Sequence, residues 1–330
     1  MKTNTHKTPI PTLPPEPKKR TLLYVLLGFS AFFIFSLIFV IFAVQNLFEK
    51  TSGTSILPDS DEISLIEVEG AIYQSDDIVR RIRRFTKSSK KALILRLNSP
   101  GGAVAPSQEI YSEVLNAREN KKIVVASMSS LAASGAYYIA AACDKIVANP
   151  GTLTGSIGVI AEFPDASGLL KKVGLQFQTV KSGRFKDSGS FSRPMDPQER
   201  MYLQETINDV FHQFVDAVVQ GRSAAFREKL AVKLGKKPEK VTDLEIRAYI
   251  GPFIDGRVLT GRKAFDLGFV DRLGNYYTAV RLVAELAGIK GEPKVRSDRP
   301  VRVDRFLNSL SEIPFLSKSG SGMQLEYRAF

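Results

Sequence analysis

Residues 21–48 form one apolar run without a charged side chain, dominated by Leu, Ile, Val and Phe. About twenty helical residues cross a hydrocarbon core, so this run predicts a transmembrane helix. Lys18, Lys19 and Arg20 precede it directly, which predicts a cytoplasmic N-terminal side and an exported body. A cleavable signal peptide would have a shorter apolar region ending in small residues. Here Gln45-Asn46-Leu47-Phe48 follows, so an uncleaved signal anchor is expected. Residues 1–20 are polar, basic and proline-rich, the pattern of a disordered cytoplasmic tail. Residues 49–62 read as a linker containing Gly53 and Pro58.

From Ile63 the pattern changes to short apolar runs alternating with helix-spaced apolar positions. Strands are predicted from Ile63, at Ala92–Leu97, Ile123–Ala126 and Lys145–Ala148. Helices are predicted at about Asp76–Phe85, Ala105–Arg118 and Ala136–Ala142. Then come a loop (Pro150–Gly155), a short strand (Ser156–Ile160), a helix (Ala166–Val173) and a strand (Leu175–Val180). A long amphipathic helix runs from Asp196, its cap, through Pro197 in the first turn to about Leu230. A helix at about Thr260–Leu267, an exposed strand at Phe269–Asp271 and a helix from Tyr276 complete residues 63–290. Beyond them, residues 291–330 read as a basic, poorly structured tail. There is no internal repeat. Strands alternating with helices argue for an α/β body whose strands are buried on both faces.

The net charge of +12 is clustered, with one run at Arg80, Arg81, Arg83, Arg84, Lys87, Lys90 and Lys91 and a second over residues 289–306. The first run shares a short helix with Ile78, Val79, Ile82 and Phe85 at core spacing, the pattern of a solvated helix face. Without aromatic interleaving or a binding-fold signature, no nucleic-acid partner is expected. If this face lies near a bilayer, anionic headgroups are its natural attraction. A single cysteine, Cys143, excludes an intramolecular disulfide, and two histidines argue against metal sites built on imidazole. No metal and no cofactor is expected.

The candidate chemistry centres on residues 124–148. A β-rich run ends in the small-residue corner Ser129-Ser130-Leu131-Ala132-Ala133-Ser134-Gly135, and a helix follows at once. Such a corner holds a side chain at the turn and aims free backbone N–H groups beside it, which acyl transfer requires. Ser134 stands at the corner. A Ser before a helix is more often an N-cap, and spacing does not choose between the two roles. Asn98-Ser99-Pro100-Gly101-Gly102 is a turn by composition, and its glycines offer a second source of oxyanion donors. A hydroxyl needs a base. His212 is the folded region's histidine and reads as an ordinary helix residue between Phe211 and Phe214. Lys181 and Lys186 offer an amine, with Arg184 nearby to disfavour its charge. Spacing does not choose between these lysines.

Together NSPGG (98–102), LAASGAYYIAAACDKIVANPGTLTGSIGV (131–159), KSGRFKD (181–187) and DGRVLTGRKAFDLGFVDRLG (255–274) resemble the signal peptide peptidase A family. These are bacterial membrane-anchored serine peptidases of the ClpP/crotonase fold, built from repeated β-β-α units. The resemblance spans about Ile63 to Leu286, and the length is similar to the short, single-repeat form. By position it implies Ser134 as nucleophile, Lys186 as general base and Ser156 as the residue orienting that lysine. It implies oxyanion-hole N–H groups at Gly102 and Gly135. Ala136 departs from the pattern, standing where the family commonly has a second glycine, and its methyl could narrow the pocket.

The resemblance further implies ring-like homo-oligomers in which Ser and Lys can come from neighbouring subunits. It implies remnant signal peptides and other membrane-associated hydrophobic peptides as substrates, at the bacterial inner membrane with the catalytic domain outside. The same fold hosts acyl-CoA hydratases and isomerases, which would be cytoplasmic and need CoA. A proteolytically silent membrane scaffold is the remaining alternative.

Overall fold

In a computed structural model of the chain, the described residues are 61–298, 326–328 and scattered positions between 24 and 39. The chain divides into one unit ending at Leu57 and a second beginning at Pro58. In the first, the described positions, 32–36 among them, are helical and exposed. The rest of the predicted anchor, the 1–20 tail and most of the linker lie outside the described residues. Among the described residues no helix is long and apolar enough to cross a membrane.

The second unit is a mixed α/β body around a parallel-rich sheet. Strands β1 (Glu62–Glu69), β2 (Ala92–Ser99) and β4 (Ile123–Ala133) lie side by side and parallel. A short β3 (Gly101–Ala103) follows β2 after one residue. The near-continuous apolar run of β2 reflects burial on both faces. Leu93, Leu95 and Leu97 join the larger core, against α1 (Asp76–Lys87), α2 (Val104–Glu119) and α3 (Gly135–Ala141). Ala92 and Ile94 enter a second core, on the opposite face. On α1, Ile82 and Phe85 point into the core, and the basic run is spent on pairs: Arg80 with Asp77, Arg83 with Glu113, Arg84 with Asp298.

β4 forks the sheet. Its residues Val125–Met128 pair with β5 (Lys145–Ala148), and its residues Leu131–Ala133 pair with β6 (Leu153–Gly155). The sheet is completed by β7 (Val258–Thr260), antiparallel on β6, and β8 (Arg272–Leu273) on β5. On the far edge β9 (Lys294–Ser297) pairs with β1, while β3 and β10 (Glu326–Arg328) form a separate two-stranded antiparallel sheet.

Of the remaining helices, α4 spans Ser167–Lys172 and α5 spans Pro197–Leu234. Helix α5 starts in a capping box: Asp196 accepts from the N–H groups of Gln198 and Glu199 at 2.8 and 2.9 Å. It packs closely enough on α3 that a Cβ at Gly221 would stand 2.0 Å from the Ala141 carbonyl oxygen. Its buried Arg222 pairs with Asp271 at 2.7 Å, and Asp271 also accepts from the Ile146 N–H. Three further helices follow: α6 (Asp243–Ile250), α7 (Gly261–Leu267) and α8 (Tyr276–Ala287), the last covering the second core.

Four expectations from the sequence are corrected. The strand expected at Ser156–Ile160 lies at Leu153–Gly155, because Gly155 and Ser156 take φ of 75° and 50° and end the extended run. Leu175–Val180 forms no strand: the alternation is right, but no edge pairs with it, and Val180 is 99% exposed. Phe269 and Val270 are core residues rather than an exposed strand, and the strand falls just after them. Past Lys290, where the pattern fades, β9 and β10 continue the ordered body.

Candidate active site

Strand β4 runs straight to Ser134, so the corner is set by a β-ladder rather than by a free loop. The Ser134 N–H donates to the Gly155 carbonyl at 2.8 Å, and the Ser134 carbonyl accepts from Tyr138 N–H at 2.8 Å. Between them the backbone turns at φ 54°, ψ −119°, outside the ordinary regions for a residue with a Cβ. Such a conformation costs on the order of 1–3 kcal/mol and persists only where its surroundings enforce it. Ser134 precedes α3 but does not cap it: its Oγ is buried and makes no hydrogen bond. Gly135 heads the helix, and N–H groups of a first turn have no intrahelical acceptor. Ala136 is fully buried in the larger core.

Gly102 comes from the neighbouring strand. β3 touches the loop after β1 at Ile72: Ile72 N–H donates to Gly101 O, and Ala103 N–H donates to Ile72 O, both at 2.8 Å. By alternation the Gly102 amide faces the other edge of β3. A Cβ on Gly102 would lie 2.3 Å from the Ile72 carbonyl oxygen, so only glycine permits this approach.

Ser156 follows β6, one step beyond the Ala133–Gly155 pair, and is buried. The register therefore brings Ser134 and Ser156 to adjacent positions at the ends of paired strands. The loop lysines are different. Lys181 is tied to Asp187 and to the Arg184 carbonyl. Lys186 is exposed and forms no side-chain hydrogen bond or ion pair among the described residues. His212 is exposed on α5 beside Phe211. No basic side chain hydrogen-bonds Ser134 among the described residues.

The bracing of this loop escaped sequence reasoning. Asp187 accepts from Arg193 Nε at 3.1 Å and pairs with Lys181, while Arg193 also grips the buried Glu199 at the start of α5. The only sequence signal was opposite charges six residues apart, without periodicity. Hydrogen bonds from Arg193 and then Lys181 hold the Asp187 carboxyl at about 2. A depressed carboxylate stabilises fully above its ordinary pKa of about 3.9 and loses that contribution as pH falls toward the folded value. Amide protection over residues 181–193, taken relative to the intrinsic exchange rate at each pH, should therefore fall between about pH 4 and pH 2. Asp187→Asn should show the lower protection already at pH 7; unchanged protection would remove Asp187 as the brace.

The profile of Peptidase family S49 matches residues 116–234, which include β4, Ser134, Ser156 and the lysine loop. The protein slr0021 of Synechocystis sp., named as a protease by inference, is 41% identical over 230 residues, covering 69% of this chain and 75% of its own length. The chain belongs to peptidase family S49. The signal peptide peptidase A resemblance thereby becomes membership, and the chain is a serine peptidase by family. The chloroplastic serine protease SPPA of Arabidopsis thaliana is 30% identical over 80% of this chain but only 37% of its own length. Among solved structures, a membrane-bound stomatin-specific protease overlaps at TM-score 0.44 and 16% identity, over 73% of this chain and 99% of its own.

Proposed function

We propose that this S49 peptidase is a membrane-anchored serine endopeptidase whose Ser134–Lys186 dyad forms between neighbouring copies of the chain. The observation that carries the reading is a buried, partnerless hydroxyl at an enforced corner, while Lys186 stands in solvent. Exposed Leu169, Val173, Leu175, Phe177 and Val180 on the same arm support burial against a second copy, in a ring. The forked parallel sheet supports the ClpP/crotonase arrangement. The apolar run at 21–48 supports anchoring in the bacterial inner membrane with the body outside, next to remnant signal peptides and other hydrophobic peptides.

In this mechanism the Lys186 amine of one copy takes the Ser134 proton of the next, and Ser134 Oγ attacks the peptide carbonyl. An amine moved from solvent into a buried cleft loses the hydration of its charge, which favours the neutral base. Ser156 orients that amine. The Gly102 and Gly135 N–H groups stabilise the oxyanion. Lys186 then protonates the leaving amine, and the acyl-enzyme is hydrolysed by water that Lys186 deprotonates.

Mixing two inert variants tests the arrangement. Ser134→Ala and Lys186→Ala should each be inactive alone. Co-assembled one to one, they should regain about a quarter of wild-type turnover, the share of junctions pairing an intact Ser with an intact Lys. An inert mixture, with co-assembly verified, would exclude a dyad between copies. Activity in Lys186→Ala alone would exclude Lys186 as the base.

A further inference from the structure

On the edge of the sheet, the basic end of α1 and the strand β9 meet around a cavity of about 220 Å³. Arg84 of α1 and Lys90, just beyond that helix, line one side, and Arg296 and Asp298 line the other. Ser64 of β1 sits opposite Arg296 in the parallel register, so both side chains share one face of the sheet. The chemistry here already holds an oxyanion: Arg84 donates to both carboxylate oxygens of Asp298, at 3.0 and 3.1 Å, and Arg81 stands 3.9 Å from the same group. Lys90 pairs with Glu62 at 2.5 Å, and Lys122 donates to the Ser88 and Lys90 carbonyls at 2.6 and 2.7 Å. Arg81, Arg84, Lys90, Lys122 and Arg296 thus outnumber Asp77, Glu62 and Asp298 around the cavity, which leaves positive charge for a further anion. A hydroxyl is also left over. Ser64 is only 7% exposed, yet its side chain makes no hydrogen bond among the described residues, which is uncommon for a buried polar group.

We infer that the cavity between α1, β1 and β9 binds a phosphate group. Guanidinium groups on two sides match the several oxygens of a phosphate, and the Ser64 hydroxyl supplies a further donor. Asp298 holds Arg84 until the phosphate takes its place. The volume falls below the about 300–1,000 Å³ of sites that enclose a whole small molecule, so the cavity takes a charged head and leaves the rest of its ligand outside. Two sources share this chemistry, a free phosphomonoester and the headgroup of an anionic lipid. Ser64 follows soon after the predicted anchor at 21–48 in the sequence, which makes the second source worth a separate arm of the test. Either ligand would tie the edge strand β9 to α1. The site does not depend on the peptidase reading.

The full chain in maltoside micelles, which carry no phosphate, is titrated with inorganic phosphate at an ionic strength held constant with chloride. Amide protection over residues 294–298 should rise and saturate with phosphate and stay level with chloride alone. Arg296 is exposed, so Arg296→Gln keeps the fold, and it should weaken phosphate binding about ten-fold, the loss of one charged hydrogen bond. Asp298→Asn removes the competing carboxylate and should tighten binding about five-fold, the effect of one like charge at about 4 Å across water. If Asp298 and Arg84 served only to hold β9 in place, Asp298→Asn would lower protection and bring no gain in affinity. The same exchange is then read in bilayer discs of phosphatidylglycerol and of phosphatidylcholine. Protection present in the phosphatidylglycerol discs before phosphate is added, and lost in Arg296→Gln, identifies a lipid headgroup; protection that needs added phosphate in both discs identifies a free phosphate compound. Level protection in micelles and in both discs would overturn the site, and so would an Arg296→Gln chain that binds as tightly as the parent.

Discussion

If Ser134 is the nucleophile, Ser134→Ala should abolish peptide hydrolysis, lowering turnover by about 10⁴-fold or more, and should leave the fold at least as stable. Loss of a nucleophile removes the covalent route and leaves only binding and oxyanion stabilisation, hence the size of the drop. The stability follows from the hydroxyl's surroundings. Its Oγ is buried without a hydrogen-bond partner, and such a group costs about 1–3 kcal/mol in desolvation. Alanine removes that cost and keeps the Cβ, so the denaturation midpoint should hold or rise. The N-cap alternative predicts the reverse, since removing a cap costs about 0.5–2 kcal/mol and need not touch turnover. Hydrolysis of a fluorogenic peptide and urea unfolding of the same preparation separate the two. A variant that keeps its activity and loses stability would return Ser134 to the role of a cap.

Gly102→Ala should give the second large effect, on the fold and, if its amide is an oxyanion donor, on the site as well. The new methyl would lie 2.3 Å from the carbonyl oxygen of Ile72 and 2.5 Å from its nitrogen. Both obstacles are main chain, so β3 must move away from the loop after β1. Overpacking of this kind costs about 1–3 kcal/mol. If the Gly102 amide is an oxyanion donor, moving it should also lower kcat by about 10²–10³. Steady-state kinetics at a temperature where the variant remains folded isolate the second effect. A variant that is destabilised but keeps its kcat would confine Gly102 to a structural role.

How much of this was legible in sequence depended on how local each feature is. The long helix announced itself through Asp196, Pro197 and Glu199, three residues whose capping bonds lie within one turn. The Ser134 corner was legible as small residues between a β-rich run and an apolar helix. The fork was not, because no local pattern tells that β4 pairs with β5 along one half and with β6 along the other. That pairing is what brings Ser156 beside Ser134; the resemblance implied a role for Ser156 toward Lys186 and the sequence carried no sign of the adjacency. Leu175–Val180 has the alternation of a strand and no strand to pair with, a condition set by topology alone. β9 and β10 were missed for the opposite reason: their side chains carry little apolar periodicity, and backbone pairing recruits them to existing edges. Spacing does not choose between Lys181 and Lys186, and the resemblance implies Lys186; among the described residues Asp187 engages Lys181 and leaves Lys186 unengaged.

Within a single chain the buried Ser134 hydroxyl has no hydrogen-bond partner and Lys186 stands exposed; if the dyad forms only between copies, this arrangement has a cost in dilution and a benefit in safety. If the chain is membrane-anchored as proposed and the two meet only across a junction between copies, the work done per molecule depends on how densely the copies populate that membrane. A newly inserted, solitary chain is then harmless to the precursors around it, and destructive capacity appears only once enough neighbours have gathered.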